Sequence, residues 1–194
     1  MDESMALLCA HTDHAADDLT ALVHAAQADP VAFGALYDRY VERVYAYLRA
    51  RTSGVDEAHD LTQQVFLQAL DALPRYRGGG GGFAAWLFRI ARNTAINAYS
   101  RRRTTVALHL VPEAVQPVAD VDLEAGALHQ EAAAQVRALL NTLPADKREL
   151  LALRFAAGLT VAEIATVIGK SNAATRKQLA RTIQTLQEQY HDTH

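Results

Sequence analysis

Seven arginines and no acid lie between residues 73 and 112. Guanidinium groups at that density, with no carboxylate to neutralise them, fit a polyanion partner. Inside that stretch runs Arg75-Tyr-Arg-Gly-Gly-Gly-Gly-Gly82. Consecutive glycines let a backbone approach a ligand closely, and Tyr76 offers an aromatic face for stacking. Asn93 and Asn97 follow, four residues apart, which places both amides on one side of a helix. An amide donates and accepts together, which suits the edge of a nucleic-acid base. The glycine run is no nucleotide-binding P-loop, because no Gly-Lys-Ser/Thr follows it. Cys9, His11, His14 and His24 invite a metal reading, but an irregular segment with no supporting acid nearby argues against it, and no metal or other cofactor is expected.

Charge is segregated along all 194 residues. Residues 1–72 hold 4 basic and 12 acidic side chains; residues 113–135 hold 5 acids and no base; residues 136–194 hold 8 basic and 5 acidic groups. The formal net charge of −3 conceals this pattern. Half of the residues are apolar and 21% are charged, which fits a globular chain and excludes collagen-like or wholly disordered ones. No apolar run is long enough for a membrane span. The acidic opening MDESMALLCAHTDHAADD argues against a signal peptide, and a single cysteine argues against a disulfide framework, so the expected setting is the cytoplasm.

The elements that must position these residues read as helices throughout. Alanine is abundant, with 38 copies, while Val and Ile are sparse. Residues 1–18 carry no period and are expected to form a mobile tail. Leu19, Leu22, Val23 and Ala26 mark a short helix that ends near Asp29-Pro30, and Pro30 opens a second helix with Phe33, Leu36, Tyr37, Tyr40, Val44 and Leu48 inward. A third runs from about Asp56 to Leu73, with Leu61, Val65, Phe66, Ala69 and Leu73 inward. The fourth, Phe83 to about Arg102, aligns Phe83, Trp86, Leu87, Ile90, Ala91, Thr94, Ala95 and Ala98 on one stripe, with Arg89, Arg92, Asn93, Asn97 and Ser100 opposite. Trp86 lies within the stripe and is assigned to the core. Residues 104–121 read as a flexible acidic linker. A helix is expected from near Asp122 to Thr142, another from Asp146 to Ala157, and two closely spaced helices after Gly158. The outcome is an all-α chain of two small helical domains, 19–103 and 122–190.

Thr160-Val-Ala-Glu163 has the form of a capping box, Gly169 suits a left-handed helix end, and Ser171 can cap the next helix. That last helix places Leu179, Ile183, Leu186 and Tyr190 inward and Arg176, Lys177 and Arg181 outward. Helix, glycine turn and basic helix together form the pattern of a DNA-reading helix-turn-helix.

These motifs resemble a known family. Asp60-Leu-Thr-Gln-Gln-Val-Phe-Leu67, Phe83-Ala-Ala-Trp-Leu-Phe-Arg-Ile-Ala-Arg-Asn93, Leu143-Pro144, Gly158-Leu-Thr160 and Glu163-Ile-Ala165 resemble, in order and spacing, the bacterial RNA polymerase sigma factors of extracytoplasmic-function (ECF) type. The resemblance implies a sigma region 2 domain over 19–103 and a sigma region 4 domain over 122–190. It implies a non-enzymatic DNA-binding protein that binds core RNA polymerase, recognises the −35 promoter element, and recognises and melts the −10 element. The partners the resemblance implies are therefore core polymerase, promoter DNA and an anti-sigma factor, with no small-molecule substrate and no membrane insertion. Carried over by position, Tyr76, Arg77, Gly78, Gly79, Gly80, Arg89, Arg92, Asn93, Asn97, Arg101 and Arg102 face the −10 element. Ser171, Asn172, Ala173, Thr175, Arg176, Lys177 and Arg181 face the −35 element. Asp60, Gln63, Gln64 and Leu67 face polymerase. Gln64 stands where the family usually has glutamate, and Gln178 and Ile183 stand where basic residues are common. Alternatives are a stand-alone helix-turn-helix regulator, which would not need the Trp86 helix with its glycine loop, and a sigma-like interaction module that does not read DNA.

Overall fold

The computed structural model describes residues 18–52, 54–107 and 136–192, and every regular element among them is helical. The expected tail through residue 17, with Cys9, His11 and His14, lies outside the described residues. So does the expected linker from residue 108 onward, together with the stretch to residue 135.

Helix α1 spans 18–28 and buries Val23 and Ala26. The Asp29 carboxylate accepts from the Val31 amide at 2.9 Å, and Pro30 opens a single 3-10 turn, Pro30–Ala32. Its fixed φ and missing N–H suit that position. Helix α2 follows over Phe33–Arg49 and buries Phe33, Leu36, Tyr40, Val44, Tyr47 and Leu48. Tyr37, expected inward, is exposed at the edge and stacks on Phe66 with centroids 4.7 Å apart. Tyr47 takes the interior place instead.

Helix α3, Val55–Ala72, begins after an extended Gly54 with Asp56 and Glu57 in its first turn, where acids complement the helix dipole. Its inner face is Ala58, Leu61, Thr62, Val65, Phe66 and Ala69, and Pro74 lies in the 3-10 turn Leu73–Arg75 that ends it. Helix α4 runs Gly82–Ala107, longer than the expected end near Arg102. Phe88 is fully buried off the expected stripe, against Tyr47 in an edge-to-face pair at 5.7 Å.

The second half begins with α5 over 136–142 and α6 over Ala145–Leu151. Helix α6 continues as a π-helical segment, Ala152–Ala156, and the chain then turns at Gly158 with φ 64°. Helix α7, Val161–Ile168, carries the complete capping box between Thr160 and Glu163. It ends at Gly169 with φ 71°, and the Lys170 amide reaches back to the Ala165 carbonyl at 2.9 Å. That left-handed closure is cheap for glycine and strained for residues with a β-carbon. Helix α8, Asn172–Asp192, starts with the Ala174 amide bonded to Ser171 Oγ at 3.2 Å. Tyr190, expected inward, is exposed.

The two halves pack on each other, and their buried residues join in one apolar core. Helix α7 lies along α4, and the π-helical segment lies against α2. Polar contacts from three arginines of the first half cross the same seam.

Candidate nucleic-acid interface

The glycine run is anchored at its entry. Gln27 Nε2 donates to the carbonyls of Leu73 and Tyr76, at 3.1 and 2.6 Å. The Tyr76 ring packs against Trp86 and Phe83, at 4.9 and 5.9 Å, and Phe83 in turn packs on Tyr40 at 5.4 Å. Tyr76 is therefore one wall of an aromatic cluster, half-buried, rather than a free stacking face. Its burial pushes the phenol pKa up. Trp86 is partly buried against the core, as its place on the stripe requires. Arg77, Gly78, Gly79 and Gly80 are exposed. Gly81 has φ 89°, and a β-carbon there would meet Ala85 Cβ at 2.7 Å and Thr166 Oγ1 at 2.9 Å. The end of the loop thus touches α7 through a position only glycine can fill.

On α4, Asn93 and Asn97 are exposed one turn apart, and Arg101 is exposed beyond them. Nothing in the described side chains bears on Arg102. Arg89 and Arg92 are exposed and half-exposed, and both are engaged within the molecule. Arg89 Nη2 donates to the Thr166 carbonyl at 2.9 Å. Arg92 Nε pairs with Glu149 Oε1 at 2.9 Å. Glu149 is only 8% exposed and also accepts from the buried Tyr47 hydroxyl at 3.3 Å. Burial, with the neighbouring Glu149 carboxylate, pushes the Tyr47 pKa far above the ordinary phenol range. Arg43 completes the seam: Nε donates to the Ala157 carbonyl at 2.8 Å and Nη2 to the Gly158 carbonyl at 3.3 Å. Sequence reasoning missed Arg43, Tyr47 and Glu149. Their partners lie more than 50 residues away, and the faint signal was an acid set among leucines at Glu149-Leu-Leu151.

The helix-turn-helix presents Ser171, Asn172, Ala173, Arg176, Lys177 and Arg181 to solvent at the start of α8. Thr175 corrects the expected set: it is fully buried and points away from that surface. Gln178 bridges two neighbours, accepting from Lys170 Nζ at 2.8 Å and donating to Asp146 Oδ2 at 3.2 Å. Ile183 is half-buried and packs against the core, which accounts for an apolar residue there.

On α3, Asp60, Gln63 and Leu67 are exposed and Gln64 is half-buried, while Phe66 is buried. Leu67 is 68% exposed, a large apolar side chain held in water beside polar groups able to orient a partner. A second apolar feature is a groove of about 510 Å³ lined by Val136, Leu140, Leu151, Phe155, Ile183, Leu186 and Tyr190. Among the described residues no His, Cys, Asp and Glu cluster could hold a metal, and no helix is long and apolar enough to cross a membrane.

Two family models match the chain in order: Sigma-70 region 2 over residues 36–105 and Sigma-70 region 4 over residues 133–186. The chain is 34% identical over 175 residues to the ECF RNA polymerase sigma factor ShbA of Streptomyces griseus, covering 86% of this chain and 92% of that protein. It belongs to the ECF sigma factors. It is also 36% identical over 168 residues to the ECF sigma factor BldN of Streptomyces coelicolor, covering 85% of this chain but 63% of BldN. The solved complex of the sigma factor RpoE with the anti-sigma factor NepR from Bartonella quintana matches with a TM-score of 0.65 and 25% identity, covering 80% of this chain and 94% of that one. The glycine loop, Trp86, Asn93 and Asn97 of this ECF sigma factor fall within the first matched region, and the Gly169 turn with Arg176, Lys177 and Arg181 falls within the second.

Proposed function

We propose that this ECF sigma factor binds core RNA polymerase and directs initiation at promoters by reading the −35 element with α8 and capturing the −10 element with the glycine loop and α4. The observation that carries this reading is the pairing, in one chain, of two exposed nucleic-acid surfaces of different chemistry. One is a helix start with Arg176, Lys177 and Arg181 facing solvent behind the left-handed Gly169 turn, suited to duplex DNA. The other is an exposed glycine loop that leads into α4, the helix on which Asn93 and Asn97 are exposed, a combination suited to bases taken out of the stack. Base extrusion costs a few kcal/mol, which amide contacts and phosphate-holding arginines would offset.

Asp60, Gln63, Gln64 and Leu67 form the polymerase contact, Leu67 supplying the apolar anchor. Region 2 occupies 19–103 and region 4 occupies 122–190. The protein acts in the cytoplasm, where polymerase works, and makes or breaks no bond in a substrate itself. An anti-sigma factor is a further partner, as RpoE has in its complex with NepR.

Run-off transcription with purified core polymerase tests the reading. The chain should direct discrete starts on a subset of genomic fragments, and Asn93→Ala with Asn97→Ala should abolish them while polymerase binding is kept. Failure to initiate on any fragment would sink the proposal.

A further inference from the structure

Large apolar side chains exposed on the described residues fall in separate places. Leu67 serves the polymerase contact proposed above, and Val136, Phe155 and Tyr190 belong with the groove. Ile96 and Tyr99 on α4 belong to neither, and are 37% and 42% exposed. Ile96 lies three residues after Asn93 and four before Ser100, both exposed. Residues three and four apart are neighbours on a helix surface. The branched side chain therefore borders Asn93 and Ser100 on the polar face, across them from Asn97. It takes no place in the apolar core. Helix formation does not account for it either, since a β-branched residue loses rotamer freedom in a helix where alanine loses none.

We propose that Ile96 is a specificity-determining residue of −10 recognition: it contacts the 5-methyl group of a thymine in the strand that Asn93 and Asn97 hold. This rests on the −10 reading of α4. A branched aliphatic group has no planar face to stack on a base and no atom to hydrogen-bond to one. What it can distinguish is an apolar substituent, and among the DNA bases thymine carries one, its methyl. The neighbouring amides supply the complementary half, since asparagine matches the donor and acceptor on the edge of adenine. Amide and aliphatic group side by side thus favour adenine and thymine over guanine and cytosine. Tyr99, three residues beyond Ile96, widens the apolar edge, so the methyl leaves water on contact.

The test uses holoenzyme assembled from core RNA polymerase and the full-length chain, on a fragment that supports run-off starts. Synthetic non-template strands carry deoxyuridine in place of each thymidine upstream of the start, one position at a time. Uracil keeps the pairing edge of thymine and lacks only the methyl. Parent, Ile96→Ala and Ile96→Val are compared by run-off yield at limiting holoenzyme. Ile96 is exposed, so neither substitution opens a cavity in the core. Circular dichroism at 222 nm checks that the helices persist.

The expected result is a position at which deoxyuridine lowers the parent's yield about fourfold, the worth of one buried methyl-sized group. Ile96→Ala should lower the yield on the thymidine strand by at least about that factor and lose nothing further with deoxyuridine, a non-additivity that marks direct contact. Ile96→Val, which keeps a branched group, should retain the deoxyuridine effect. Indifference of the parent to deoxyuridine at every position would overturn the thymine contact and leave the −10 reading of α4 intact. An undiminished deoxyuridine effect in Ile96→Ala would give the methyl to another residue and overturn the contact too. Unimpaired initiation by the Asn93→Ala, Asn97→Ala chain would remove the α4 reading and the thymine contact with it.

Discussion

Arg43 Nε lies 2.8 Å from the Ala157 carbonyl, and the same guanidinium sits over the Tyr40 and Phe88 rings, 5.3 and 5.8 Å from their centroids. One side chain of α2 therefore joins the aromatic interior of the first half to the end of a helix in the second. Arg43→Ala should lower unfolding free energy in urea by about 1.5–3 kcal/mol, the range for bonds to a charged donor. Arg43→Lys should recover only part of that, because an ammonium cannot reach two carbonyls in the fork geometry of guanidinium. A loss below about 0.5 kcal/mol for the alanine variant would show that the contact adds nothing to stability.

Thr160 Oγ1 accepts from the Glu163 amide at 3.3 Å, and Glu163 Oε2 accepts from the Thr160 amide at 2.7 Å. Thr160→Ala should cost about 0.5–2 kcal/mol, as N-cap losses do. Thermal melting followed at 222 nm measures it, and Thr160→Ser should melt close to the parent.

Tyr47 carries a pH prediction. Its hydroxyl is held neutral in the fold, above the ordinary phenol value of 10.0. Once pH passes that value, the unfolded chain sheds the proton while the folded chain keeps it, so ionisation favours unfolding. The stability contribution is complete below pH 10 and falls as pH rises toward the folded-state pKa. Urea midpoints at pH 8, 9.5 and 10.5 should therefore drop at the alkaline end for the parent and drop less for Tyr47→Phe. Parallel curves for both proteins would contradict this.

Lys177 stands exposed near the start of α8, and its ammonium, a compact point charge, suits a backbone phosphate. Lys177→Ala should weaken duplex binding to all sequences alike and reduce the slope of log affinity against log salt by about 1. Loss confined to particular sequences would move Lys177 from phosphate to base contact.

What could be read in the chain itself was local. Thr160, Glu163, Gly169 and Ser171 act within a few residues of one another, and each adopts the predicted geometry. The α4 stripe was visible for the same reason. Tyr37 and Tyr190 were placed inward because an aromatic at the margin of an amphipathic face satisfies the period whether or not anything covers it. Thr175 failed in the opposite sense: its small polar side chain looked exposed, yet Leu179 one turn on is buried beside it on the inner side of α8. The seam was not legible at all. Arg89 and Arg92 read as free cations, and Arg43 carried no signal of a role, because their partners, carbonyls and one glutamate, enter from another part of the chain. The same long-range packing buried Phe88, which helical period alone put off the stripe.

Phe155 leaves the π-helical segment with 67% of its surface in water at the mouth of the apolar groove. A bare aromatic next to a greasy trench makes an unaccompanied molecule adhesive toward its own kind. The consequence is practical: this protein should keep poorly when purified alone. Light scattering should climb with concentration near neutral pH, and Phe155→Ser should suppress the rise without shifting the melting temperature. Scattering that is flat up to millimolar concentration would mean the trench is shielded in solution.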